Sequence, residues 1–421
     1  MEKAKFINRI NKLINLKWKL RHFILLVLFA TPIIDIVNGI IGEGSLFGKF
    51  VRSMIVVLNC AAILYTELKQ HSKRNVAFFA FAIYLFVHFL LFSLLQGNGG
   101  LTTDLGAYLK IVLFVSETVL LFNCLDLRII QRRDLELFWK YSLILIPASL
   151  FIASITDTAM SYGFGGNRGY FVSVNALTVV MIMQVNISVL FALQKKLPWM
   201  IVLLNLLSIF LIGTKTSYFF VAFSFVLTFA YLLLKNKKYF KRFALFCLLC
   251  VLILYIVLIK FFGDRFNSIL DYQLSFLQKA IDNGTLFNYL VSGRDQLLGA
   301  GFKVMEESGI GFLFGVGFST LERGIANVLG LEGIRGIEMD PFEIWFSFGS
   351  PAVIFIYGFF FLVLRKKTKF KAAKFITNLT IFLTLVYSFL GGHAIMESLG
   401  GTYCAILLAY RFSLNDPLKE K

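Results

Sequence analysis

A few charged side chains lie at the ends of apolar segments, where a plain connecting turn needs no charge. Lys215 stands among hydroxyl groups in the segment GTKTS, and Arg294 stands at a predicted helix start in the segment SGRD. Backbone N–H groups at a helix start favour an anion, and a planar guanidinium fits a pair of phosphate oxygens. These residues indicate an anion site, with Arg168 in the segment GGNRG as a third candidate. The alternatives are contact of Lys215 with lipid headgroups and an exposed ion pair between Arg294 and Asp295.

Three further side chains can take up a proton. Glu338 and Asp340 stand directly before an apolar segment in the sequence EMDP, and His393 follows two glycines in GGH. Such groups can serve as general bases, although acids also end loops and a lone histidine is more often a structural hydrogen-bonding residue. The sequence has no HExxH, Walker A or nucleotide-binding glycine motif, so it predicts no metal site and argues against an ATP-driven pump or a nucleotide-sugar enzyme.

The elements that must position these residues are membrane helices. The 421 residues are 58% hydrophobic and 16% charged, with a mean hydropathy of +0.77, which is more than a soluble domain can bury. The formal charge of +18 is gathered in short clusters between apolar runs. Basic clusters in such places report membrane topology, so they do not indicate binding of nucleic acid.

We predict an all-α polytopic membrane protein, a single integral membrane domain over residues 1–421. A spanning helix needs about 20 mostly apolar residues to cross a hydrocarbon core of about 30 Å. About twelve runs meet this description: Phe23 to Ile41, Phe50 to Tyr65, Val76 to Leu95, Ala107 to Leu125, Phe138 to Ile155, Val174 to Leu193, Trp199 to Ile212, Tyr218 to Leu234, Phe243 to Phe262, Phe342 to Leu364, Phe375 to Leu390 and Ser398 to Arg411.

The basic residues predict the orientation of these helices. With the basic N-terminal residues 1–21 in the cytoplasm, 30 of the 42 Lys and Arg residues fall in cytoplasmic segments, and the C-terminus is cytoplasmic too. Residues 263–341 then form one large extracytoplasmic loop. Arg265 to Ala280 and Arg294 to Glu307 have apolar residues at helical spacing in this loop, which predicts two amphipathic helices at the membrane surface.

The motifs in the second half of the chain resemble a known family when they are taken in order. They are GTKTS, SGRDQLL, LFGVGF at Leu313 to Phe318, EMDPFEIWFSFG at Glu338 to Gly349, and GGH. From about Gly213 to the end, the chain resembles bacterial O-antigen and capsular polysaccharide polymerases of the Wzy type, within the superfamily of O-antigen ligases and polymerases. The first half resembles them only in helix count and topology.

This resemblance implies an enzyme similar to other membrane glycosyltransferases that depend on lipid carriers. It would join repeat units linked to undecaprenyl pyrophosphate on the outer face of the bacterial plasma (inner) membrane, without a cofactor. The implied partners are these lipid-linked glycans, membrane lipids, and the chain-length regulator and flippase of the same pathway. Loss of the pyrophosphate develops negative charge, which Lys215, Arg294 and the weaker candidate Arg168 would stabilise.

The acceptor hydroxyl needs a base, and the sequence departs from the related ligases at this point. They carry a histidine eleven residues before the glycine that Gly349 matches, whereas this chain has Glu338 there. We therefore expect Glu338 to be the first candidate for the base and His393 the second, with Asp340 orienting one of them.

Three other functions remain open at this stage. An O-antigen ligase would use a similar cationic site to attach a finished polymer to another acceptor. A flippase or other transporter would have polar residues spread through the helix interiors rather than gathered at one side of the membrane. A structural scaffold would need no such charged cluster.

Overall fold

Helices form nearly all of the regular structure in the computed structural model of the protein. It describes residues 2–42, 45–95, 100–162, 166–235, 240–249, 293–333, 336–368 and 370–414, with residues 252, 271, 274, 275, 278 and 282. The helices are α1 Glu2–Ile41, α2 Leu46–Lys69, α3 Lys73–Phe89, α4 Leu101–Asp126, α5 Arg132–Ile155, α6 Val174–Leu193, α7 Trp199–Ile212, α8 Lys215–Lys235, α9 Arg294–Ser308, α10 Gly311–Phe314, α11 Phe318–Leu329, α12 Asp340–Arg365, α13 Lys371–Leu390 and α14 Ser398–Ser413.

Smaller elements complete these ranges. A π-helical turn, Leu90–Leu95, extends α3. The two-residue strands β1 Ser161–Tyr162 and β2 Gly166–Asn167 pair as an antiparallel hairpin between α5 and α6.

Within the described residues, nine helices are long and apolar enough to cross a membrane, which confirms an all-α polytopic protein. They match nine of the predicted spans. Of the other three, the seventh is the 14-residue helix α7 and the twelfth is the 16-residue helix α14. The ninth, Phe243 to Phe262, lies mostly outside the described residues. The total of twelve therefore stays a prediction.

Helix α6 lies at the centre of the bundle because it is apolar on every side, and all of its residues except Asn175 are buried. Helices α7, α13 and α14 pack beside it, and α4 packs on α14 in turn. Two glycines at the start of α14 allow the preceding loop to fold back closely, since a Cβ at Gly400 would overlap the backbone of Ala394. Outer helices present large apolar side chains such as Leu68 and Leu234 outward, as lipid contact requires.

Helix α12 is interrupted at Gly349, which has φ 79° and ψ 173°. This break frees two carbonyl groups, and the chain after α10 satisfies them: the Val316 N–H donates to Phe346 O at 2.8 Å and the Gly317 N–H to Ser347 O at 3.0 Å. A Cβ at position 349 would stand 2.6 Å from the Cα of Phe314, so only glycine fits here. The break separates the first turns of α12, which carry acidic side chains, from its long apolar part.

The described part of the predicted large loop folds into α9, α10 and α11. The amphipathic helix expected over Arg294 to Glu307 is present as α9, whereas the one expected over Arg265 to Ala280 lies mostly outside the described residues. Leu321 and Ile325 of α11 are fully buried against Met305 of α9 and Phe346 of α12. This apolar core holds the three helices over the start of α12.

Candidate functional site

Arg294 opens α9 directly after Gly293, a glycine in the left-handed conformation (φ 79°). Its side chain is 10% exposed, and its Nη2 donates to Glu338 Oε2 at 2.8 Å. Its Nη1 reaches the backbone oxygen of Leu390, at the end of α13, at 3.5 Å. Arg294 thus joins α9 to two other parts of the chain, and its partner is Glu338 rather than the neighbouring Asp295.

Glu338 occupies a backbone position that few side chains adopt, with φ 56°. This turn aims its carboxylate at Arg294, while its own backbone N–H donates to Glu343 Oε2 at 3.0 Å. The Glu338 side chain is 40% exposed. It is therefore the accessible end of an ion pair whose other end is buried.

Asp340, at the first position of α12, anchors the loop that precedes α14. It is fully buried, and its Oδ2 accepts the backbone N–H groups of Ala394 and Ile395, both at 2.7 Å. Its Oδ1 lies 3.1 Å from Nδ1 of His393. A carboxylate with these three donors fixes both the course of the loop and the orientation of the imidazole.

His393 lies between two carboxylates, because its Nε2 is 3.9 Å from Glu343 Oε2 on the side away from Asp340. Burial by itself would lower the pKa of His393, but the charges of Glu343 and Asp340 outweigh it and raise the pKa. The imidazole is therefore protonated at neutral pH. In that state it supplies a positive charge and cannot accept a proton.

Lys215 is the first residue of α8. A short hairpin joins α7 to α8, and it begins at Gly213, a left-handed glycine (φ 72°) that ends α7. The Lys215 side chain is partly buried, and the positive charge of Arg294 acts on it directly. Two like charges repel, so a shared anion between Lys215 and Arg294 would relieve that repulsion. The hairpin thus places the second predicted cation within electrostatic reach of the first.

Arg168 has a different setting in the loop between α5 and α6. Its Nη1 donates to the backbone oxygen of Val172 at 2.5 Å, which is a contact within its own loop. The ion pairs that join Arg294 to Glu338 and His393 to Asp340 involve other residues.

The structure adds residues that the sequence analysis missed. Lys110 of α4 lies 3.4 Å from Glu397, the last residue before α14, and the charge of Glu397 acts on His393. Glu322 of α11 interacts electrostatically with His393 and Lys110 as well. A lysine inside an apolar run was a visible signal for Lys110. Glu322 gave none, because an acid on an amphipathic helix is ordinary.

Further charges continue from this cluster into the first helices. Arg52 of α2 pairs with Asp35 of α1, and their side chains are only 20% and 14% exposed. Glu397 acts on both, and Glu117 of α4 is buried next to Thr402 of α14. Polar residues therefore extend further into the helix interiors than the sequence analysis assumed. Among the described residues, no three His, Cys, Asp or Glu side chains are placed to hold a metal ion.

Comparison with protein families gives one match. A family model described as "O-antigen ligase like membrane protein" matches residues 17–279, which is more than half of the chain. The matched range ends before Arg294, so most of the charged cluster lies outside it. Neither the curated proteins nor the solved structures contain a match to the chain.

Proposed function

This chain belongs to the family of O-antigen ligase like membrane proteins, and from that premise we propose that it polymerises lipid-linked oligosaccharide repeat units. The family indicates a glycan-processing membrane protein and a glycosyltransferase type of enzyme. The proposal adds the reaction: transfer of a growing glycan from undecaprenyl pyrophosphate to one lipid-linked repeat unit. It also adds the place, the outer face of the bacterial plasma membrane, with both termini in the cytoplasm.

The observation that carries the proposal is the electrostatic interaction between two cations, Arg294 and Lys215, which open helices far apart in the chain. Breaking the bond between a sugar and pyrophosphate leaves negative charge on the leaving oxygen. Fixed cations at a partly buried site stabilise this charge without reorganising during the reaction. The guanidinium of Arg294 fits two phosphate oxygens, and Lys215 adds a compact point charge.

The neighbouring residues support this chemistry. In our proposal Asp340 orients His393, and the protonated imidazole adds a third positive charge beside the leaving group. Glu338 holds the guanidinium of Arg294 in place until substrate binds. Arg168 has a local contact in its own loop, so we give it no part in binding the pyrophosphate.

Two other functions fit the same topology, and one of them shares the chemistry. A ligase would attach the finished polymer to a different acceptor, and the charged cluster suits that reaction equally well. A lipid-linked oligosaccharide flippase is favoured by the buried Glu117 and by the largely buried ion pair of Asp35 and Arg52. The motif at Glu338, which differs from the histidine of the ligases, favours the polymerase.

Deletion of the gene followed by glycan analysis separates the three functions. A polymerase deletion leaves single repeat units on the final acceptor, and a chain-length regulator and flippase of the pathway remain active. A ligase deletion leaves long polymer that is not attached, and a flippase deletion leaves no product outside the cytoplasm. Complementation with the wild-type chain must restore the polymer, whereas Arg294→Ala at equal protein level must not. Long attached polymer in the deletion strain would contradict all three functions.

A further inference from the structure

Helix α11 is docked onto the start of α4 by a contact between helix ends. The backbone N–H of Ser319, in the first turn of α11, donates to Asp104 Oδ1 at 2.7 Å, and Asp104 is 2% exposed. Gly100, just before α4, leaves room for this contact, since a Cβ there would stand 2.8 Å from the guanidinium of Arg323. A carboxylate at the positive end of a helix stabilises it, so the position of α11 is fixed.

Glu322 follows Ser319 by three residues, so both side chains lie on the face of α11 that meets α4. Its charge interacts with Asp104 and Lys110 on α4, with Glu343 on α12, and with His393 in the loop before α14. On its own helix, Arg323 is its neighbour in sequence. The face of α9 that packs on α11 is apolar and carries Val304 and Met305.

The other carboxylates of the cluster are already engaged. Asp340 accepts two backbone N–H groups and orients His393. Glu343 accepts a hydrogen bond from the backbone N–H of Glu338. The Glu338 carboxylate in turn accepts a hydrogen bond from the guanidinium of Arg294. Glu397 is paired with Lys110. These contacts already occupy oxygens of each carboxylate, whereas a general base needs an oxygen that can reach the acceptor proton.

Glu322 differs from them in two respects. Its side chain is partly exposed, and no hydrogen bond or ion pair between described residues engages its carboxylate. Burial together with the negative charges of Glu343 and Asp104 raises the pKa of Glu322 to about 7, against the opposing charges of His393 and Lys110. A carboxyl group with this pKa exchanges protons readily at neutral pH.

We propose that Glu322 is the general base that removes the proton from the acceptor hydroxyl, an assignment that rests on the proposed function. The acceptor oxygen forms a bond to the anomeric carbon of the donor sugar as its O–H proton passes to the Glu322 carboxylate. The bond from that carbon to the pyrophosphate oxygen breaks, and its electron pair leaves with the pyrophosphate. Glu322 then returns the proton to water. This proposal assigns the base to a residue of α11 instead of Glu338 or His393, the bases expected from the sequence.

The test is the rate of glycan transfer between pH 5.5 and 8.5 by the purified full-length protein. The substrate is the lipid-linked repeat unit extracted from the deletion strain. Because the base must be deprotonated, the wild-type rate should rise about tenfold per pH unit below pH 7 and level off above it. Glu322→Gln should lower the plateau by about 10²-fold or more and remove the rise. Glu307→Gln, an exposed acid in α9, is the matched control and should behave as wild type.

The outcomes separate the base from the function. If wild type transfers glycan and Glu322→Gln keeps both the rate and the pH dependence, the base assignment fails and the proposed function stands. A wild-type rate that is flat below pH 7 overturns the assignment without any variant, so a variant that does not fold leaves it testable. Glu322→Asp, which keeps the carboxylate, should recover part of the activity and the pH dependence. If wild type forms no polymer from these units, the proposed function itself fails.

Discussion

Replacement of Glu338 by glutamine distinguishes a residue that holds Arg294 from a residue that removes a proton. Glutamine keeps the size of the side chain and an oxygen that can accept from Arg294, but it has no charge and no basic oxygen. The contact at stake is the hydrogen bond from Arg294 Nη2 to Glu338 Oε2 at 2.8 Å. The two roles predict losses of different size and different dependence on pH.

The size of the first loss follows from this contact. A hydrogen bond between two charged groups contributes about 1 kcal/mol more than one with a neutral acceptor. The Glu338 side chain is 40% exposed, so solvent screens the pair and keeps the difference near this low figure. A loss of about 1 kcal/mol in transition-state stabilisation lowers the rate about fivefold. Removal of a general base would instead lower it by about 10²-fold.

The assay is the initial rate of transfer at pH 6, 7 and 8, with Glu307→Gln as the control for a lost surface charge. We expect Glu338→Gln to be about fivefold slower than wild type, with the same rise of rate with pH. Adding Glu338→Gln to the variant Arg294→Lys should slow transfer by much less than fivefold, because both changes act through the same contact. A loss of 100-fold or more, together with a flat pH dependence, would refute this reasoning and make Glu338 the base.

Four changes test the rest of the site and the fold. Arg294→Lys keeps the charge but loses the planar pair of donors, so transfer should fall by about 10²-fold, and Arg294→Ala should be lower still; full polymer from the alanine variant at normal protein level would remove Arg294 from the site. Asp340→Asn should lower stability by about 2–3 kcal/mol, seen as a lower Tm in detergent, and an unchanged Tm would contradict its anchoring role. Gly349→Ala should reduce the yield of folded protein, whereas Gly358→Ala, which has open space around it, should not. A cysteine at Glu307 should be labelled from outside intact cells; labelling only after permeabilisation would place this segment in the cytoplasm.

Much of the architecture could be predicted from the chain itself because its signals are local. Long apolar runs predict spanning helices, and nine of them are present in the described residues. The spacing of apolar residues after Arg294 predicted the helix α9, and its bounds differ by one residue at the C-terminal end. The break at Gly349 was not predicted, because a glycine two residues before Pro351 also occurs in a helix that is only kinked. Its cause is the chain after α10, which occupies the gap.

The sequence determined the class of protein and the residue types available for chemistry, since composition and periodicity need no knowledge of distant contacts. The tertiary structure decided which charges meet. Arg294 and Glu338 are 44 residues apart in sequence, and Asp340 and His393 are 53 residues apart. Glu322 lies among the charges of α4, α12 and the loop before α14 only because α11 is docked on α4. A side chain's role in proton transfer depends on which charges surround it, and packing of separate helices alone supplies them.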